Sequence, residues 1–209
     1  LDGPGVRSCV TEAGVGFAFA RMFHPAMRHV APVRTELGIP TVFNLLGPLS
    51  HPGRVGRQVL GVTDEARVEL VAGVLARRGV AKAWVVRGAD GLDELTTTDV
   101  TDVIEIVDGV ETRRFQVTPE EVGLARVRSA DIAVGDPAAN AVAANGVLEG
   151  RPGPVRDMVA LNAAAALVVA DVADGLADGL LKANHAIDSG DAARTLRELV
   201  AASRALQGL

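Results

Sequence analysis

The sequence predicts an α/β fold with a mainly parallel central sheet and flanking helices, and three observations carry that expectation. Gln58–Val62 and Lys82–Arg87 read as short strands on either side of an amphipathic helix; such a β-α-β unit implies parallel strands. The alanine-rich stretch 138–170 reads as helix, because alanine has the highest helix propensity. Hydrophobic residues make up 48% of the 209 positions, with Ala and Val dominant and aromatics at only 3%, so a sizeable core can be buried.

The elements follow in order. Pro4–Ala13 reads as a helix with proline near its first turn and Gly14 as its stop. Gly16–Ala20 alternates apolar residues and reads as a strand. His24-Pro25 opens a further helix, and Pro32 predicts a kink or two short helices before Leu37. Residues 40–57 are rich in Gly, Pro and Asn and read as loop. Asp64 is placed to cap a helix to about Arg78, with Val68, Val71 and Leu75 on one face and Gly79 ending it. Thr101–Val117 holds two alternating runs around Asp108-Gly109, a hairpin signal. Asp136-Pro137, Pro154 and Asp191 mark helix starts, and Gly150 and Gly190 mark stops.

Composition narrows the function classes. The net charge is −5 with scattered Lys and Arg, which argues against a nucleic-acid groove. A single cysteine, Cys9, leaves no intramolecular disulfide framework, and this usage fits a reducing cytoplasm. The longest apolar stretch, Met158–Ala170, is broken by Asn162 and is too short to span a bilayer. No signal peptide is visible, and a start at Leu-Asp-Gly-Pro without Met reads as the middle of something longer. Neither a Walker loop nor a dinucleotide fingerprint occurs.

The most informative segment is Asp90-Gly91-Leu92-Asp93-Glu94-Leu95, which follows the apolar run Ala83-Trp84-Val85-Val86. Ligands of open α/β sheets bind at the carboxyl ends of strands. Adjacent carboxylates there are held together at less cost if a cation neutralises them. Mg2+ takes one or two protein carboxylates and completes its shell with phosphates and water, so Asp93 and Glu94 are the candidate ligands. A solvated turn with two surface carboxylates is the competing reading.

Arg34 shares a helix face with Met27 and Ala31 and can grip a carboxylate bidentately; an exposed helix arginine paired with Glu36 or another neighbour is the alternative. Gly47, in Asn44-Leu45-Leu46-Gly47-Pro48-Leu49, either lets a backbone approach a ligand or makes a tight connection. The histidines 24, 29, 51 and 185 are not spaced as a metal cluster. Asn162 reads as a hydrogen-bonded core amide.

Taken in order, Phe17-Ala18-Phe19-Ala20, Phe23-His24-Pro25-Ala26-Met27, Val30-Ala31-Pro32-Val33-Arg34, Phe43–Leu49 and Asp90–Leu95 resemble the C-terminal three-fifths of the anthranilate phosphoribosyltransferase family. The closing segments Gly153–Asp157, Leu161–Ala165 and Ala186–Gly190 fit the same pattern, while Arg21 departs from it. The resemblance implies the C-terminal α/β domain shared by nucleoside phosphorylases and such transferases, over residues 17–209, with residues 1–16 a remnant of a small helical domain. It implies transfer of phosphoribosyl from phosphoribosyl pyrophosphate (PRPP) to anthranilate in tryptophan biosynthesis, with Mg2+ as cofactor. It maps the family's metal-binding acidic pair onto Asp93 and Glu94, and its anthranilate-contacting arginine onto Arg34. Ala20, His24 and Met27, with Gly47 nearby, then form the wall past which anthranilate enters. It further implies a homodimer for the complete enzyme, a cytoplasmic setting, and a glycine-rich pyrophosphate loop lying before Leu1. Two other readings stay open: a catalytically incomplete fragment, inactive alone, and a nucleoside phosphorylase-like relative.

Overall fold

A computed structural model describes residues 1–39, 41–133 and 135–208, without the side chains of Asn44 and Leu45. Its contacts divide the chain into two compact units, Val55–Gly190 and a unit that combines Leu1–Arg54 with the C-terminal stretch from Asp191.

In the latter unit α1 (Gly3–Ala13) starts at Asp2, whose carboxylate accepts the Gly5 N–H, and ends at Gly14 in the left-handed region. It is followed by α2 (Ala20–Phe23), α3 (Met27–Leu37) and α4 (Phe43–Leu49). Three expectations need correction here. Gly16–Phe19 is not a strand. Alternation alone supplies no ladder partner, and Phe17 and Phe19 are exposed and stack on each other at 6.2 Å. Of the kink or two short helices expected at Pro32, the division into two helices does not occur: α3 runs through Pro32 as one element, since a proline removes only one helical N–H. The supposed loop at 40–57 contains α4, with Gly47 and Pro48 inside it. The side chains of Asn44 and Leu45 in this segment lie outside the described residues.

The other unit carries β1 (Arg57–Gly61), α5 (Glu65–Arg77), β2 (Lys82–Gly88), β3 (Thr101–Val107) and β4 (Val110–Val117). The Asp64 carboxylate accepts the Ala66 N–H and caps α5. After a 3-10 turn at Glu120–Val122 come α6 (Ser129–Ile132), α7 (Pro137–Leu148), α8 (Pro154–Val169) and α9 (Leu176–Asp188). The chain then returns to the unit that holds α1 as α10 (Asp191–Ala205), which packs on α1.

The sheet has strand order β1-β2-β3-β4. The α/β class with flanking helices holds, but the sheet is mixed rather than mainly parallel: β1 and β2 are parallel, while β2–β3 and β3–β4 are antiparallel. The reason lies in the connections. A parallel return needs a crossover, usually helical; α5 supplies one between β1 and β2, whereas 89–100 contains no helix and turns the chain straight back. Asp108, with φ 49°, and Gly109 then make the expected hairpin.

Trp84, Val86 and Val103 project from one sheet face onto Leu161, Ala165, Val168 and Val169 of α8. Alternation turns Ala83 and Val85 to the other face, where α5 packs against β2 and β3. The alanines of α8 admit α9 closely: a Cβ on Gly179 would lie 2.8 Å from the Ala164 carbonyl oxygen. Among the described residues no helix is long and apolar enough to cross a membrane.

Candidate functional site

The acidic segment leaves β2 at Gly88 and lies at the carboxyl end of the one parallel pair among the described strands. Its turn is set by the backbone: the Gly91 N–H donates to Gly88 O at 2.9 Å and the Gly88 N–H to Leu92 O at 2.9 Å, with Gly91 at φ 90°. Asp90 is the clasp of this loop. Its carboxylate accepts the Leu92 N–H at 3.1 Å and the Thr96 hydroxyl at 2.6 Å, and also the Thr98 hydroxyl. Burial works against the charged form of Asp90, but these hydrogen bonds outweigh it and hold the carboxyl below its ordinary range. Asp90 is therefore committed to scaffolding the loop.

Two glycines make room for the segment. A Cβ on Gly61 at the end of β1 would lie 1.5 Å from the Asp93 carbonyl oxygen, and one on Gly88 would lie 2.3 Å from Asp90 Oδ1. The backbone of Asp93 thus runs directly against the end of β1. Leu95 is fully buried in the α8 core, and the Asn162 amide of α8 pairs with its backbone, accepting the Leu95 N–H at 2.9 Å and donating to Leu95 O at 2.8 Å.

What this scaffold presents is Asp93 and Glu94, both exposed. No basic side chain forms an ion pair with either among the described residues. Although the Glu94 side chain as a whole is exposed, partial desolvation of its carboxyl first, and the Asp93 charge second, push that carboxyl above its ordinary value. Two neighbouring carboxylates without a cation suit a hard divalent ion. No group of three or more His, Cys, Asp or Glu that could hold a metal occurs among the described residues; Mg2+ commonly takes only one or two protein carboxylates and fills its shell with phosphate oxygens and water. Glu94 also borders a cleft of about 410 Å³ whose other wall includes Ser129, Ile132, Val155 and Met158.

The remaining candidates belong to the other unit. The Ala20 carbonyl accepts the His24 N–H at 3.0 Å and the His24 carbonyl accepts the Met27 N–H at 2.9 Å, so one backbone corner joins all three. Arg34 is half-buried in the last turn of α3, with its guanidinium 5.9 Å from the centre of the Phe43 ring at the start of α4. Gly47 in α4 faces open space: nothing lies within 4 Å of where a Cβ would sit. The roles of Gly61 and Asn162 have no counterpart among the residues that the sequence pattern singles out as ligand-binding. An Asn amid buried Ala and Leu is the one available signal for the latter.

The sequence pattern of the glycosyl transferase family, a/b domain, matches residues 2–193. The chain belongs to that family. It is 53% identical over 200 residues to an anthranilate phosphoribosyltransferase of Afipia carboxidovorans, covering 96% of this chain and 59% of the relative. The solved anthranilate phosphoribosyltransferase of Thermus thermophilus superposes with a TM-score of 0.88 at 42% identity, over 96% of this chain and 59% of that one. The Saccharomyces cerevisiae enzyme in complex with PRPP and Mg gives a TM-score of 0.90 at 29% identity, over 98% and 59% of the two chains. This chain therefore spans about three-fifths of the length of the relatives it matches.

Proposed function

We propose that this protein transfers the phosphoribosyl group of PRPP to the amine of anthranilate, in tryptophan biosynthesis. The reaction breaks the bond from the anomeric carbon to pyrophosphate, forms the carbon–nitrogen bond and releases the amine proton. The observation that carries the reading is an acidic pair without a cationic partner among the described residues, presented at the strand ends of a chain 53% identical to an enzyme of that name.

In this reading Asp93 and Glu94 hold Mg2+, and the ion, when bound, neutralises charge developing on the departing pyrophosphate. Arg34 orients anthranilate through its carboxylate, with its guanidinium braced by the Phe43 ring. Ala20, His24 and Met27 line the approach, and the open space at Gly47 leaves room for the ligand. The remaining assignments belong to the same proposal: a remnant of a helical domain at residues 1–16, a transferase domain from residue 17, a homodimer and a cytoplasmic setting.

The test is to follow anthranilate fluorescence with the full-length protein. It should fall only when PRPP and Mg2+ are both present, with stoichiometric pyrophosphate release. Consumption of a nucleoside and phosphate, with anthranilate untouched, would replace the reading with a phosphorylase.

A further inference from the structure

Asn162 lies on α8, distant in sequence from the acidic loop, yet its side chain satisfies both polar groups of one loop residue. Asn162 Oδ1 accepts the Leu95 N–H at 2.9 Å and Nδ2 donates to Leu95 O at 2.8 Å. A further bond from Nδ2 to Met158 O at 3.0 Å holds the amide against its own helix and fixes which end is oxygen and which nitrogen. The Leu95 N–H belongs to the Glu94–Leu95 peptide plane, and Leu95 O to the plane that follows. Gripping both sets the direction in which the backbone leaves Glu94. The buried Leu95 side chain anchors the loop to the core, but apolar packing is not directional, whereas a pair of hydrogen bonds is. On the other side of the acidic pair, the Asp93 backbone rests against Gly61.

We propose that Asn162 is a positioning residue: its amide aims the Asp93–Glu94 pair for metal binding, from outside the set of groups that touch the ion. This rests on reading that pair as the Mg2+ site. Groups that orient metal ligands change metal affinity by about 10–100-fold when removed.

The test uses the full-length protein with Mn2+ as the probe, titrated in the presence of inorganic pyrophosphate and followed by the free-ion paramagnetic signal. Asn162→Ala should weaken Mn2+ binding about tenfold and leave the KM for anthranilate unchanged. Hydrogen exchange at the Leu95 amide should accelerate in the same variant. If Asn162→Ala does not fold, Asn162→Asp decides. It keeps the shape and the acceptor for the Leu95 N–H but loses both donors, so weaker Mn2+ binding supports the proposal. Unchanged or tighter Mn2+ binding in the folded variant overturns it. The double variant Asp93→Asn with Glu94→Gln separates the two ideas. If it binds Mn2+ as the parent does, the metal reading fails. If it loses Mn2+ while Asn162→Ala keeps it, the positioning role alone fails.

Discussion

Gly61 has no room for a side chain, because a Cβ there would lie 1.5 Å from the Asp93 carbonyl oxygen. The contact is with backbone, which cannot swing aside as a flexible side chain would. Gly61→Ala is therefore expected to push the acidic loop off the end of β1, destabilising the fold by about 1–3 kcal/mol and weakening Mg2+ dependence. A thermal melt and an Mg2+ titration check both parts, and unchanged values would mean that the loop is not seated as described. For Arg34→Ala the expected effect is a rise in the KM for anthranilate. Hydrogen bonds to charged groups contribute about 1.5–3 kcal/mol, so the rise should be about tenfold to a hundredfold. An unaltered KM would remove Arg34 from the carboxylate role. The difference between these two residues explains what the sequence could say. Adjacent acids on a glycine loop after an apolar run stand out locally as candidates, as does an arginine among motif residues. The need for glycine at position 61 arises from a segment about thirty residues away and has no local signature.

At the level of elements, β2 and β3 are joined by more than the ladder. The Trp84 indole N–H donates to the Glu105 carboxylate at 2.8 Å, and Thr112 and Arg113 add to it at 3.0 and 3.1 Å. Burial favours the neutral form of Glu105, but the bonds from Trp84, Thr112 and Arg113 prevail and hold its carboxyl below the ordinary range. A depressed carboxylate stabilises the fold above its unfolded pKa of about 4.3 and loses that contribution as pH falls through the folded value. The gap in melting temperature between the parent and Glu105→Gln should thus be wide at neutral pH and narrow in acid. A gap independent of pH would contradict the assignment. Glu105→Ala should cost about 1–3 kcal/mol by leaving the buried indole N–H unpaired. Caps and turns were the legible part of the elements: Asp64, Asp136 and Asp108-Gly109 act locally and sit where their chemistry required. The parallel β1–β2 pair and the β3–β4 hairpin were legible as well, but the direction of β3 against β2 was not. It depends on whether the chain has a helix with which to cross back, and the pairing of β3 beside β2 is a tertiary outcome. The apolar alternation of Gly16–Ala20 misled for a related reason, since a strand needs a neighbour to pair with.

At the scale of the whole molecule, one unit builds the acidic loop and its cleft from the sheet and α8, and the other carries Arg34 and the corner of Ala20, His24 and Met27. The order of motifs along the chain is enough to make the family legible, and the family match over residues 2–193 agrees with it. In the proposed function Asp93 and Glu94 hold the Mg2+ that assists pyrophosphate departure. The most direct test of that role is the initial rate of phosphoribosyl transfer against Mg2+ concentration in the full-length protein, for the parent and for Asp93→Asn with Glu94→Gln. A metal acting on a leaving group is worth several kcal/mol, so the double variant should lose about a hundredfold or more in turnover. It should keep the parent's melting behaviour without metal, and added Mg2+ should not restore the rate. Transfer at the parent's rate, with the parent's Mg2+ dependence, would take the metal away from Asp93 and Glu94.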